Sequence, residues 1–183
     1  WLLLNSPSNP TGAGYHRHEI EQLLAVLQRH PRILLLSDEI YEHLLYDQFE
    51  QVSPAAIAPA LRDRILIVNG VSKAYAMTGW RIGWGAGPRE LIDAMAAVQS
   101  QVSSCASSVG QAAALAALTG PQDEIAVRQD AFRRRRDALV TALNEIPGMH
   151  CRVPNGAFYV FPSIKALVGM LTPDHVPLHS DVD

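Results

Sequence analysis

The stretch ILIVNGVSKAYAMTGWRIGWGAG, residues 65–87, is the part of the sequence that decides the fold. It opens with a short aliphatic run at residues 65–68, which is typical of a central strand in a parallel sheet. A polar loop with glycines follows, and residues 81–86 form a second run whose small side chains permit close packing. We therefore predict two strands and, between them, a loop that carries Lys73 just beyond a buried strand.

The segments before this stretch extend the pattern toward the N-terminus. Residues 33–36 form another continuous aliphatic run, and residues 2–4 indicate the end of a buried strand. Between them, apolar residues recur at helical spacing, which predicts a helix over residues 17–29 that ends before Pro31. Strands that alternate with a helix in this way predict an α/β fold, with a parallel-rich sheet covered by helices.

The segments after the stretch are mostly helical. A serine-rich loop over residues 100–108 either lines a polar site or caps the helix that follows it. Apolar spacing and helix propensity predict three helices here, at residues 90–99, 111–118 and 123–144.

A smaller unit is expected at the end of the chain. Val153 and residues 158–161 predict short strands, and their alternating aromatic side chains are interpreted as small-domain core rather than as a substrate site. A change of composition near residue 122 marks the domain boundary. We expect the large domain over residues 1–121, followed by a connecting helix and a partial small α+β domain over residues 122–183.

Composition and charge narrow the classes of function. Of the 183 residues, 48% are hydrophobic and 18% are charged, so we expect a globular chain with a sizeable core. The net charge of −3 gives no electrostatic reason to expect nucleic acid or an anionic membrane. No apolar run approaches the roughly 20 residues of a membrane helix. Because the chain lacks an initiator Met and a closing element, we expect a piece of a longer protein. Two cysteines without metal or redox spacing favour the reducing cytoplasm as its location.

Three other features receive structural rather than functional interpretations. Cys105 and Cys151 lack metal or redox spacing, so we expect buried or half-buried thiols. His16 and His18 lack a third ligand, which favours a surface pair at a helix start over a metal site. The four arginines at residues 133–136 are interpreted as a solvated helix face rather than a nucleic-acid patch.

Polar segments follow the predicted strands, at the positions where an α/β sheet places its ligands. Residues 5–12, NSPSNPTG, form a rigid loop whose asparagines either present amides to a ligand or only make turns. Asp38 follows the second strand, where a carboxylate is costly unless it is paired, for example with a cationic ring nitrogen. The alternative is an aspartate that caps a helix. Tyr41 lies one turn further on and can reach the same ligand.

Lys73 is poorly explained as a surface residue. It lies between an apolar strand and the bulky segment at residues 77–84, where an amine loses its charge easily and becomes a nucleophile. Ser72 and Arg81 flank it with a hydroxyl and a planar guanidinium, the donors that a phosphate prefers. These residue types indicate an amine nucleophile beside an anion site.

The motifs NPTG, SDEIY and SKAYAMTGWRIG together resemble those of the fold-type I, class I aminotransferases, which depend on pyridoxal 5'-phosphate (PLP). They are most similar to the bacterial aspartate aminotransferase branch, which uses MTGWRIG. The similarity continues through the serine-rich loop, the arginine-rich helix and residues 154–159, PNGAFY, so it covers nearly the whole chain.

The resemblance implies two central catalytic roles. Lys73 matches the lysine that binds PLP as a Schiff base and later moves a proton as acid and base. Asp38 matches the carboxylate paired with the pyridinium nitrogen, which keeps the ring able to accept electrons.

Four further positions match the family's cofactor ligands. Tyr41 and Asn9 match the two donors to the phenolic oxygen of PLP, and Tyr41 is counted with the catalytic residues. Ser72 and Arg81 match phosphate ligands. The family's upstream phosphate loop, its partner-subunit tyrosine and its substrate-carboxylate arginine are expected outside this chain.

The resemblance implies a homodimeric enzyme that moves an amino group between an amino acid, of aspartate or glutamate type, and a 2-oxo acid. Aromatic or alanine aminotransferases and PLP lyases share the same motifs and stay open as alternatives. A non-catalytic regulator with this fold is the alternative from another class, although the intact set of Lys73, Asp38 and Tyr41 argues against it. No metal, nucleic acid or membrane is expected as a partner.

Overall fold

A four-stranded sheet lies at the centre of the computed structural model, which describes residues 1–172 and 174–180. The strand order is β1-β2-β3-β4, with the first three strands parallel and β4 antiparallel to β3. The strands are β1 (Leu2–Asn5), β2 (Leu35–Asp38), β3 (Ile65–Gly70) and β4 (Gly83–Ala86). The helices are α1 (Arg17–Arg29), α2 (Pro54–Ile57), α3 (Arg89–Val102), α4 (Ser108–Thr119) and α5 (Asp123–Asn144).

Helix α1 covers one face of the sheet and forms the main core with it. Its length agrees with the prediction at both ends, because Glu19 accepts a hydrogen bond from the backbone N–H of His16 at the start and Pro31 follows the last turn. The core cluster joins the apolar stripe of α1 to three strands and a short 3₁₀ helix. Its buried members are Leu4, Ile20, Leu24, Leu27, Leu35, Leu61 and Ile65.

The first strand differs from the prediction of a buried strand. β1 lies at the edge of the described sheet, so Leu4 is buried while Leu3 is 71% exposed. The alternation of side chains along a strand explains part of this pattern, since Leu3 points away from the face that α1 covers.

The fourth strand begins two residues later than predicted. Arg81 has a positive φ of 57°, a left-handed conformation that ends the preceding turn and excludes it from the strand. β4 then pairs with β3 through Gly70 and Gly83, and a Cβ on Gly70 would lie 3.0 Å from Cα of Gly83. The glycines are therefore needed for this close approach of two backbones.

The serine-rich segment is shorter as a loop than predicted. Helix α3 continues to Val102, and α4 begins at Ser108. Ser107 caps α4 by accepting a hydrogen bond from the backbone N–H of Gly110 at 3.4 Å. Cys105 lies exposed in the remaining loop, whereas Cys151 is buried, so the expectation of a half-buried or buried thiol is wrong for Cys105.

The short strands predicted after residue 150 are not present among the described residues. Residues 154–157 make only an isolated bridge between Gly156 and Leu45. Pro154 lacks a backbone N–H, and Ala157 has a φ of 59°, so neither residue continues a ladder. Residue 173 and residues 181–183 of the predicted small domain lie outside the described residues.

Helix α5 runs over the predicted 22 residues and anchors this last segment. Arg136 is 7% exposed, which corrects its interpretation as part of a solvated face. Its guanidinium donates to the Asp47 carboxylate at 2.5 Å and to the Pro154 carbonyl at 3.0 Å, and it stacks on the Tyr46 ring. Within residues 1–172 and 174–180, no helix has the length and apolar content that crossing a membrane requires.

Candidate functional site

The carboxyl ends of β1 and β2 bring two polar residues side by side. Asn5 and Asp38 are paired in the sheet register, and the Asn5 amide donates to the Asp38 carbonyl at 3.3 Å. The side-chain oxygen of Asn5 accepts a hydrogen bond from the backbone N–H of Asn9 at 2.7 Å. The first loop is therefore folded back over the end of the sheet, which places Asn9 close to the segment that follows Asp38.

Asp38 is a half-buried carboxylate without a cationic partner. Its Oδ1 atom accepts the backbone N–H of Ile40 at 3.2 Å, and residues 40–43 form turns rather than a helix, which excludes the helix-cap alternative. Among residues 1–172 and 174–180, no Lys, Arg or His forms an ion pair with it. A carboxylate in this position calls for a cation from a ligand.

Tyr41 is 3% exposed and lies at the centre of the site. Its hydroxyl lies 2.8 Å from the hydroxyl of Tyr159. Burial raises the pKa of Tyr41 far above its ordinary value of 10.0. The hydrogen bond with Tyr159 and the charge of Asp38 raise it further, while a hydrogen bond from the Asn9 amide lowers it. Tyr41 therefore keeps its proton at neutral pH and is available as a donor.

Lys73 extends toward the same aromatic side chains. Its Nζ lies 6.0 Å from the centre of the Tyr41 ring and 5.7 Å from the centre of the Phe158 ring. Within the part of the chain that the structure describes, no carboxylate forms an ion pair with the Lys73 amine. The amine thus faces aromatic surface and the space beside Tyr41 rather than a counter-ion.

Ser72 and Arg81 lie on either side of this loop, but their side chains are not joined in the described structure. Ser72 is half-buried next to Lys73, and Arg81 is exposed, with its guanidinium donating to the Thr78 carbonyl at 2.9 Å. Arg81 also lines a cavity of about 540 Å³ together with Ser103 and Ser107 of the serine-rich loop. That loop therefore both caps α4 and lines a cavity of mixed polar and apolar character.

A segment of the expected small domain completes the site. Residues 154–157, the bridging segment, donate three backbone N–H groups to the segments that follow β1 and β2. The N–H groups of Asn155 and Gly156 reach the Gly12 carbonyl at 2.9 and 3.0 Å, and the N–H of Ala157 reaches the Leu44 carbonyl at 2.8 Å. The PNG turn signal indicates such a turn, but its partners are distant in sequence and only the fold reveals them.

Phe158 and Tyr159 follow directly and were not expected at the site. Their rings lie 5.7 and 5.8 Å from the Tyr41 ring, both nearly perpendicular to it. Phe158 is 40% exposed and contacts the Lys73 amine, so its interpretation as small-domain core is wrong. Nothing in the alternation of residues 158–161 distinguishes a core strand from an irregular segment that turns its rings toward a site.

The molecule is an α/β protein whose mostly parallel sheet has an amine, a phenol and an unpaired carboxylate at its carboxyl edge, the place where such sheets bind ligands. The sequence matches the family described as aminotransferase class I and II over residues 1–176. The chain belongs to this family, and the family implies PLP as the cofactor.

Known relatives confirm the fold class and the predicted branch. The chain is 56% identical to aspartate aminotransferase of Rhizobium meliloti over all 183 residues, and 55% identical over 169 residues to the aspartate/prephenate aminotransferase of Cereibacter sphaeroides. The crystal structure of the Rhizobium meliloti aspartate aminotransferase superimposes with a TM-score of 0.97 at 55% identity. These matches cover 100%, 92% and 100% of this chain, but only 45%, 42% and 46% of the relatives. The chain thus spans less than half of their length.

Proposed function

We propose that the full-length protein is a PLP-dependent aminotransferase whose cofactor is bound by Lys73. One observation carries this proposal: Asp38 and Lys73 lie on neighbouring loops around Tyr41, yet neither pairs with the other or with any other described charge. A ligand that presents a cation to Asp38 and an aldehyde to Lys73 satisfies both groups. PLP has a ring nitrogen and an aldehyde on opposite sides of one ring, so the donor set fits it.

The remaining site residues suit the other substituents of the cofactor. Tyr41 and Asn9 would donate to its phenolic oxygen, which agrees with the hydrogen bond between them and with the retained proton of Tyr41. Ser72 and Arg81 would bind its phosphate with a hydroxyl and a guanidinium. When bound, PLP supplies an electron sink for the substrate carbanion.

The protein groups direct the chemistry around this sink. The Lys73 amine would take the proton from Cα of the amino acid and later return a proton, so it would act as both base and acid. Asp38 would provide the counter-charge that keeps the ring nitrogen protonated. The Phe158 and Tyr41 rings lie beside the amine and present aromatic surface to it.

For the substrate we propose an amino donor of the aspartate or glutamate type and a 2-oxo acid as acceptor. The support is the name of the relatives, which are an aspartate and an aspartate/prephenate aminotransferase. An aromatic or alanine aminotransferase or a PLP lyase is a second candidate within the same fold. A homodimer in the cytoplasm is proposed from the family resemblance alone.

The test is a substrate panel with PLP-loaded full-length protein and 2-oxoglutarate as acceptor. With aspartate we expect stoichiometric release of oxaloacetate and formation of glutamate, at a kcat/KM well above those for phenylalanine and alanine. Faster turnover with phenylalanine or alanine would replace the aspartate assignment by another aminotransferase. Loss of substrate without transfer to the acceptor would indicate a lyase, and failure to bind PLP would overturn the proposed function.

A further inference from the structure

The hydroxyl of Tyr41 has a partner that comes from a distant part of the chain. The Tyr159 hydroxyl lies 2.8 Å from it, an ordinary distance for a hydrogen bond between two hydroxyls. The two residues are 118 positions apart in sequence. Tyr159 is half-buried and packs against the cluster that Tyr41, Leu44 and Ala157 form.

The backbone around Tyr159 holds this contact in place. Ala157, which is fully buried, donates its N–H to the Leu44 carbonyl at 2.8 Å, and the N–H of Tyr46 donates to the Asn155 carbonyl at 2.9 Å. The hydroxyl of Tyr46 donates to the carbonyl of Ala157. The position of Tyr159 is thus fixed by hydrogen bonds that residues 155–157, just before it, make with Leu44 and Tyr46. These two residues follow Tyr41 closely in the chain.

We infer that Tyr159 is a positioning residue for Tyr41: it donates a hydrogen bond to the Tyr41 oxygen, so that Tyr41 directs its own proton to the ring oxygen of the bound cofactor. This inference rests on the proposed function. A phenol oxygen has one proton to donate and lone pairs that accept. With an anionic oxygen in front of Tyr41, the order Tyr159 to Tyr41 to anion satisfies every group, and each bond in the chain strengthens the next.

Several charged and titratable groups face Tyr41 from the elements packed around it. Asp38, Lys73 and Tyr159 face it, and the Asn9 amide hydrogen-bonds it. Because burial raises the pKa of Tyr41, it remains a phenol and can act as a donor. Either hydroxyl of the pair can donate in the absence of a ligand, since an O–H group rotates freely.

The experiment compares Tyr159→Phe with Tyr75→Phe in the full-length protein loaded with PLP. The pH midpoint of the visible absorbance change of the bound cofactor is measured for each variant. Without the Tyr159 hydroxyl, Tyr41 is a weaker donor, so the anionic ring oxygen is less stabilised and protons bind more tightly to the linked Lys73 nitrogen. We expect the midpoint to rise by about half a pH unit to one pH unit in Tyr159→Phe.

Tyr75→Phe is the matched control, because it also removes one phenol hydroxyl, but this hydroxyl bonds to the Gln122 side chain at 2.9 Å and not to Tyr41 or the bridging segment. It is expected to leave the midpoint unchanged. An unshifted midpoint in Tyr159→Phe, with a normal wild-type spectrum, would overturn the positioning role and leave the proposed function intact. An equal shift in both variants would also overturn it. Wild-type protein without any PLP absorbance would overturn both the positioning role and the proposed function.

Discussion

The sequence contains one other lysine besides Lys73, and this second lysine serves as an internal comparison for the role of Lys73. Lys73 and Lys165 are the two lysines of the chain, and Lys165 is exposed on the segment after the site. The amine of Lys73 is half-buried beside aromatic rings, whereas that of Lys165 is solvated, so the lysine to which a cofactor becomes attached identifies the reactive environment. The contact of Lys73 with Phe158 and Tyr41 predicts which of the two reacts.

We expect borohydride reduction of the PLP-loaded full-length protein to place a phosphopyridoxyl group on the peptide that contains Lys73. In Lys73→Ala the group is absent, and the amino-transfer rate falls by about 100-fold to 10,000-fold, because the base for the Cα proton is lost. Lys165→Ala serves as the control and should label and turn over as the wild type does. Peptide mass spectrometry identifies the labelled peptide, and label on any lysine other than Lys73 would refute the assignment.

Asp38 makes a second prediction at this scale. Asp38→Asn keeps the size and the hydrogen bond to Ile40 but removes the charge, so the ring nitrogen is no longer held protonated. We expect the single-turnover rate of amino transfer to fall by about 100-fold or more, measured by stopped-flow absorbance with aspartate. The control is Asp93→Asn, because Asp93 is an exposed carboxylate on α3 whose partner is Arg89. Equal rates in wild type and Asp38→Asn would show that Asp38 has another function.

At the scale of elements, α5 connects the two ends of the site. Arg136 on this helix pairs with Asp47, which lies in the segment that follows β2. It also donates to the Pro154 carbonyl at the start of the bridging segment. Gln129 donates to the Leu45 carbonyl at 2.5 Å, and Arg128 donates to the Ala74 carbonyl at 3.3 Å. The helix therefore fixes three segments that surround Tyr41 and Lys73.

We expect Arg136→Ala to lower the free energy of unfolding by about 2–4 kcal/mol. The change removes a stacked cation from Tyr46 and a charged donor from a buried carbonyl. Arg134→Ala is the control, since Arg134 is 68% exposed and its helix-surface pair with Asp130 is screened by solvent. Urea denaturation of the full-length variants measures both. Equal losses would mean that Arg136 has no special structural role.

The ion pair of Arg136 and Asp47 predicts that the stability of the protein depends on pH. The hydrogen bond that Arg136 donates lowers the pKa of Asp47 below the ordinary value of 3.8. A carboxyl with a lowered pKa in the folded state contributes stability above its unfolded pKa and loses it as the pH falls through the folded value. The stability difference between wild type and Arg136→Ala should therefore narrow below about pH 4. A difference that stays constant from pH 6 to pH 3 would contradict this.

Helices α1 and α5 show what the sequence was able to predict at this scale. Both have a regular apolar spacing and clear end signals, and both have the predicted length. β4 and the segment after residue 150 were less predictable, because their conformations depend on Arg81 and Ala157 in left-handed conformations. Single non-glycine residues of this kind leave no pattern in a sequence.

For the molecule as a whole, the motifs predicted the family, the fold class and the proximity of Asn9, Asp38 and Tyr41. They did not predict Tyr159 or Phe158, because contacts over more than 100 residues depend on the path of the whole chain. The division into domains at residues 121 and 122 stays a prediction. Helix α5 and the bridging segment contact the large-domain loops so extensively that the two proposed domains share one site.

The bridging segment has a consequence for the order in which the protein is made. The backbone N–H of Gly14 bonds to the side chain of Asn155, which is 141 residues further along the chain. During synthesis on a ribosome, the first loop emerges long before its partner exists, and contacts this distant in sequence form late in folding. We therefore expect that the nascent chain binds its pyridoxal cofactor only after residue 159 has left the ribosomal exit tunnel.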